Sequence, residues 1–268
     1  MAYFIKPVSI AEVVEGVSLT AKSYDLAVAQ GEIAGVSCFS KFGQNSDVDN
    51  TREDIWEAGG DYTYPAAGGI QMQIVSTDIA DNPASTGSWT VRVSYLDGSG
   101  LEATEDLTMD GQTPVLTVAT DILRVNYLSV QTSGTNLLAE GTITLESVGG
   151  AEEYCRITAG GNQSLTSVYT VPANKNLFLT QWSVSTNEDA NADATEHYLR
   201  VTTNSQGEIT PGLFHFKANI GTLGAPAVIT LGPLKCPPLS DVKVSSIANG
   251  AVSNVTVNTN YIGLLIDV

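Results

Sequence analysis

The hydropathy of this chain repeats every two residues rather than every three to four, and that period decides what it can fold into. In Ser88-Trp-Thr-Val-Arg-Val-Ser-Tyr-Leu96, Trp89, Val91, Val93 and Tyr95 alternate with smaller or polar neighbours, the pattern of a strand with one buried face. Asp97-Gly-Ser-Gly100 reads as a turn, residues 101–109 as a solvent-facing return strand, and Asp110-Gly111 as the reversal before residues 114–118. Together these predict a β-meander. Further strands are expected at 70–76, 123–131, 141–146, 167–171, 177–185, 197–203, 227–231, 242–247 and 253–262. Helical signals are confined to residues 10–14 and 51–56. The second has Asp49 or Asn50 as N-cap and Glu53 and Asp54 in the first turn, where the helix dipole favours acids. Turn residues recur about every 8–12 positions, as in sandwiches and jelly rolls. The expected fold is all-β: two β-sandwich, jelly-roll-like domains preceded by an extended N-terminal arm.

The length of 268 residues is enough for two such domains, each with its own core. Val148-Gly-Gly150 reads as the break between them. The expected organisation is an attachment arm over 1–40, where alternation is weak, a sandwich over 41–149 and a second over 150–268. Charge differs across that break. Residues 1–149 hold 20 acids and 6 bases, a net −14, and residues 150–268 hold 9 and 6, a net −3. A total of −17 repels phosphate backbones and anionic lipid, so neither a nucleic acid nor a membrane is expected as partner. No apolar run reaches the roughly 20 residues of a membrane span. Glu12 and Glu15 interrupt what would be the apolar core of a signal peptide, so synthesis in a cytosol is expected.

Chemistry is thinly signposted. The three cysteines, Cys38, Cys155 and Cys236, form no CxxC pair and read as free, mostly buried thiols. His197 and His215 stand outside any metal-ligand spacing and read as structural. No GxSxG elbow, phosphate loop or GxGxxG occurs, so neither a catalytic residue nor a cofactor is assigned. Asp189, Asn191 and Asp193 have the i, i+2, i+4 spacing of a calcium loop, but Arg200 stands at the twelfth position, so a solvated hairpin tip is expected there. The densest constellation is residues 41–65. There Phe42, Trp56, Tyr62 and Tyr64 are ringed by Asp47, Asp49, Glu53, Asp54 and Glu57, and glycines 43, 59 and 60 permit tight turns. The plain reading is a structured entry into the first domain. The sharper one is an interface patch suited to a basic neighbour, with Phe42, Asp47, Asp49, Glu53, Trp56, Tyr62 and Tyr64 as its residues.

The same segment carries a resemblance. KFGQNSDVDNTREDIWEAGGDYTYP is similar to the opening of a group of tailed-bacteriophage virion structural proteins that share KFGxNxDVD, then ExIW, then GGxYT. ASTGSWTVRVSYLD at 84–97, LTMDGQTP at 107–114 and NQSLTSVYTVPA at 162–173 also resemble that group. The resemblance implies a non-enzymatic structural part of a phage particle, partnered by other virion proteins such as the major capsid protein, and a homo-oligomer, a trimer at the threefold points of a capsid. A copy facing packaged DNA with this charge would be repelled, so an outer-surface decoration or head-projecting protein, attached through its N-terminal region, is expected. The alternatives are a tail or neck component, a module that contacts a host-surface glycan or protein, and a polysaccharide hydrolase using a carboxylate pair.

Overall fold

The computed structural model describes residues 23–187, 194–202, 213–249 and 255–268. The expected helix at 10–14, the first part of the arm and the acidic loop over 188–193 lie outside them. The chain is all-β. One short helix, α1 (Tyr24–Ala29), capped by the Ser23 hydroxyl, precedes the long strand β1 (Val36–Val48) and the two-residue β2 (Glu53–Asp54). Next come β3 (Met72–Ser76), β4 (Ser88–Leu96), β5 (Glu102–Thr108), β6 (Val115–Leu116), β7 (Arg124–Ser133), β8 (Ile143–Ser147) and β9 (Glu153–Ile157). The chain ends with β10 (Tyr169–Thr170), β11 (Lys175–Thr186), β12 (Thr195–Thr202), β13 (Phe214–Thr222), β14 (Ala227–Cys236), β15 (Asp241–Ala248) and β16 (Val255–Asp267). Among the described residues no helix is long and apolar enough to cross a membrane.

The strands form two units, each with a core shared by two antiparallel sheets. In the first, called the frame, β1-β16-β11-β14 faces β10-β15-β12-β13, with β2 added beside β15. Leaving β2 aside, these are the first, eighth, third and sixth strands of the frame against its second, seventh, fourth and fifth. Phe39, Trp182 and Tyr261 from one sheet meet Leu199, Val201 and Val244 from the other. In the second unit, the insert, β6-β3-β8-β9 faces β5-β4-β7, and Met72, Ile74 and Leu145 pack on Val91, Val93 and Leu128. The insert is spliced between β2 and β10.

Four expectations are corrected. Gly149 and Gly150, at φ +94° and +74°, make the turn of the β8–β9 hairpin, so the glycine pair is not a domain break. The arm ends by residue 36, where β1 begins and pairs along its length with β16. Residues 51–56 are not helical: Asp49 accepts from the Thr51 N–H in a local turn, and β2 then pairs with β15 through Asp54↔Ser245 and Glu53↔Ser246. The meander stops after β5, because β6 joins β3 while β7 takes the other side of β4.

Candidate functional site

Residues 43–64 form a belt that stitches frame to insert, and the geometry starts with a glycine. Gly43 points inward on β1, where a Cβ would lie 2.5 Å from the Ser167 amide nitrogen and 2.8 Å from the Ile55 carbonyl oxygen, so only glycine lets these three backbones approach. Two residues on, the Asn45 amide donates to Glu53 Oε2 at 2.9 Å and to the Asp54 carbonyl at 3.3 Å. Gly60, at φ +67°, donates its N–H to the same Glu53 oxygen at 2.9 Å. The belt therefore closes on Glu53.

Asp54 is fully buried. Its carboxylate receives Lys243 Nζ at 2.6 Å, the Ser245 hydroxyl at 2.7 Å and the Tyr62 N–H at 2.8 Å, with Arg200 Nη1 3.8 Å away. Pairing and hydrogen bonding offset the desolvation that a buried charge suffers. Glu57 reaches toward the insert and accepts the Thr158 and Leu165 N–H groups at 3.0 and 2.7 Å. Trp56 and Tyr62 are buried edge to face with centroids 5.1 Å apart, and Tyr64 continues the cluster at 4.9 Å from Tyr62. The Tyr62 hydroxyl donates to the Tyr154 carbonyl at 2.9 Å, and burial pushes its pKa well up. Tyr64 carries the Arg124 guanidinium 4.6 Å from its ring.

The expected patch is thus only partly a surface. Trp56 and Tyr62 lie inside their own chain, so Trp56 has almost no solvent contact left to lose to a partner. Glu53, Asp54 and Glu57 are committed to internal donors. Phe42, Asp47 and Asp61 are exposed and Asp49 is half-buried; of the candidates, Phe42, Asp47 and Asp49 remain available to a neighbour.

Beside the belt lies a polar seam that sequence reasoning missed. Arg124 from β7 donates to Asp241 of β15 at 3.0 Å, and Asn126 and Thr170 exchange hydrogen bonds at 3.1 and 2.9 Å. The Thr170 hydroxyl donates to Asp241 at 2.5 Å. Arg124 and Asp241 stand 117 positions apart, so no local pattern announces the pair.

Among the described residues no three of His, Cys, Asp and Glu cluster as metal ligands. His197 is buried between the hydroxyls of Ser246 and Thr222 at 2.7 and 2.8 Å, and burial lowers its pKa to about 4. His215 is exposed. All three cysteines are free; Cys155 and Cys236 are buried, with burial raising their pKa to about 11 and about 12, while Cys38 is exposed.

The sequence matches no protein-family model and no curated protein. Among solved structures, the chain is similar to one of infectious bursal disease virus Gt strain at 12% identity, covering 87% of this chain and 73% of that one, with a TM-score of 0.25. It is similar at 12% identity to a structure of T=1 particles derived from the same virus, covering 87% and 70% with a TM-score of 0.27. A VP2 subviral particle of that virus is similar at 9% identity, 86% and 72% coverage and a TM-score of 0.23. These loose likenesses identify no corresponding site.

Proposed function

We propose that this chain is a non-enzymatic structural component of a bacteriophage particle, an outer capsid decoration or head-projecting protein attached through the region ahead of β1. The strand order of the frame carries the reading. First, eighth, third and sixth strands against second, seventh, fourth and fifth is the order of a jelly roll, an architecture used for shell building and for lectin-type binding. A second sandwich spliced between the first two strands of such a roll is arranged as a projection on a base. Charge supports an outward insert: residues 66–165 hold 12 acids against 3 bases. The resemblance of residues 41–65 to phage virion proteins points the same way, and the residues that carry it are the belt that joins projection to base.

Self-association is part of the proposal. The outermost strands β13 and β14 end their sheets, and together with the connection between them they present Phe216, Leu223 and Val228 to solvent at 56%, 61% and 61% exposure. Free edges bearing apolar side chains are covered by symmetric neighbours in assembled proteins, and a trimer fits the threefold points of a shell. Reconstruction of purified particles tests this. Trimeric projections outside the shell that trace this chain are expected; monomeric density, density inside the shell, or absence of the chain from the particles would overturn it.

A further inference from the structure

A cavity of about 610 Å³ opens where frame meets insert, walled by Phe39, Phe42, Tyr95, Tyr127 and Tyr169 together with Lys41. Its size falls within the roughly 300–1,000 Å³ of small-molecule sites, which concentrate at junctions between units. Lys41 is the anomaly. The other two buried cations of the described residues each face a carboxylate, Arg124 on Asp241 at 3.0 Å and Lys243 on Asp54 at 2.6 Å. Lys41, equally buried, pairs with none among the described residues. Its ammonium donates to the Asn126 carbonyl and lies 5.6 Å from the Tyr127 ring centroid.

An ammonium has three donors, and one carbonyl and a ring face leave this one under-compensated in a chain of net charge −17. Burial lowers its pKa to about 8, so at pH 7 it still carries its charge. An anion entering the cavity would gain a charge-assisted hydrogen bond there. The other walls say what kind of anion. Flat aromatic faces suit the C–H faces of a sugar ring. The Tyr127 hydroxyl donates to Gln163 Oε1 at 2.6 Å, which fixes that side chain and leaves its amide N–H groups to donate. Thr104 adds a hydroxyl, and Glu102, exposed at the rim, is placed to accept from sugar hydroxyls.

We propose that this junction cavity binds an acidic sugar, a uronic or sialic acid residue, with its carboxylate on Lys41 and its ring against the tyrosines. The proposal goes beyond the particle role and stands without it.

Calorimetric titration of the full chain with glucuronate, galacturonate and N-acetylneuraminate tests it, with glucose and galactose as neutral controls and acetate as a bare anion. At least one acidic sugar is expected to bind saturably, and the neutral sugars and acetate at least roughly ten-fold more weakly. Lys41→Met, which replaces a buried charge by an apolar side chain of similar length, should keep the fold and lose at least roughly ten-fold in affinity. Gln163→Ala, at the surface, should weaken binding without touching the buried ammonium, and serves as the test should Lys41→Met fail to fold. No acidic sugar binding up to about 10 mM, equal binding of neutral sugars or acetate, or unchanged affinity in a folded Lys41→Met or in Gln163→Ala would each overturn the proposal.

Discussion

Asp54 shows what the belt asks of a single side chain. Its carboxylate compensates Lys243, which otherwise lies buried with its ammonium 4.5 Å from the Phe214 ring. Asp54→Ala strands that cation and is expected to destabilise the chain by about 3–5 kcal/mol, a fall of roughly 10 °C in Tm. Trp56→Ala, opening a hole in the aromatic cluster, should cost about 3–5 kcal/mol as well. Asp47→Asn, on an exposed side chain, should shift stability by less than about 0.5 kcal/mol. Thermal melts of the three variants check this ranking; equal effects would mean that the belt carries no special strain on loss. His197 gives a pH signature. Its pKa is lowered by burial to about 4 from an ordinary 6.5, so between those values the unfolded chain binds a proton that the folded chain refuses. Stability is then fully present above pH 6.5 and falls as pH drops toward 4, by about 3 kcal/mol from this group. His197→Gln should flatten that part of the profile in denaturant titrations at several pH values; an unchanged slope would assign the acid loss to other groups.

At the scale of elements, strands with apolar inward faces were legible and strands with polar inward faces were not. β4 spans the residues that alternation predicts, and β16 covers the expected strand 253–262 from Val255 onward, residues 253 and 254 lying outside the described ones. β1 escaped because its inward positions are filled by Phe39, Lys41, Gly43, Asn45 and Val48: a cavity lysine, a close-approach glycine and a belt amide erase the alternation at the positions where the site is built. β13 escaped for the opposite reason, since most of it is exposed and neither face reads as core. The motif KFGxN was therefore visible as a string, while the strand it sits on was not. Gly43→Ala tests the physical reason for the glycine. The added methyl meets backbone atoms of Ser167 and Ile55 that cannot rotate away, so a loss of about 1–3 kcal/mol is expected from overpacking. A melting temperature equal to that of the parent chain would show that β1 can shift outward and that the close approach is not required.

For the whole molecule, the hairpin turn at Gly149-Gly150 and the true division of cores make opposite demands on fragments. The piece 41–149 keeps most of β1 and all of β2 but loses β16 and β15, their partners, and also β9 from the edge of the insert's sheet. Its buried faces, Val48 and Ile55 among them, would stand in water. A piece spanning residues 66–165 keeps every strand that contributes to the second core. At the seam it exposes Arg124 and Asn126, groups that water satisfies once Asp241 and Thr170 are gone. The expected division near 149 rests on the glycine pair, and the charge difference across it marks no unit boundary, since of the 20 acids in residues 1–149 ten lie in the insert and ten ahead of it. Nothing in a linear reading links β1 to β16 across more than 200 positions, a pairing built on Phe39↔Gly263 and Gly43↔Thr259. The fragment 66–165 is thus expected to melt in one cooperative transition, and the fragment 41–149 to show none, by circular dichroism at 218 nm. Cooperative melting of 41–149 comparable to that of 66–165 would place the unit boundary back at the glycine pair and remove the seam as the line along which projection and base are joined.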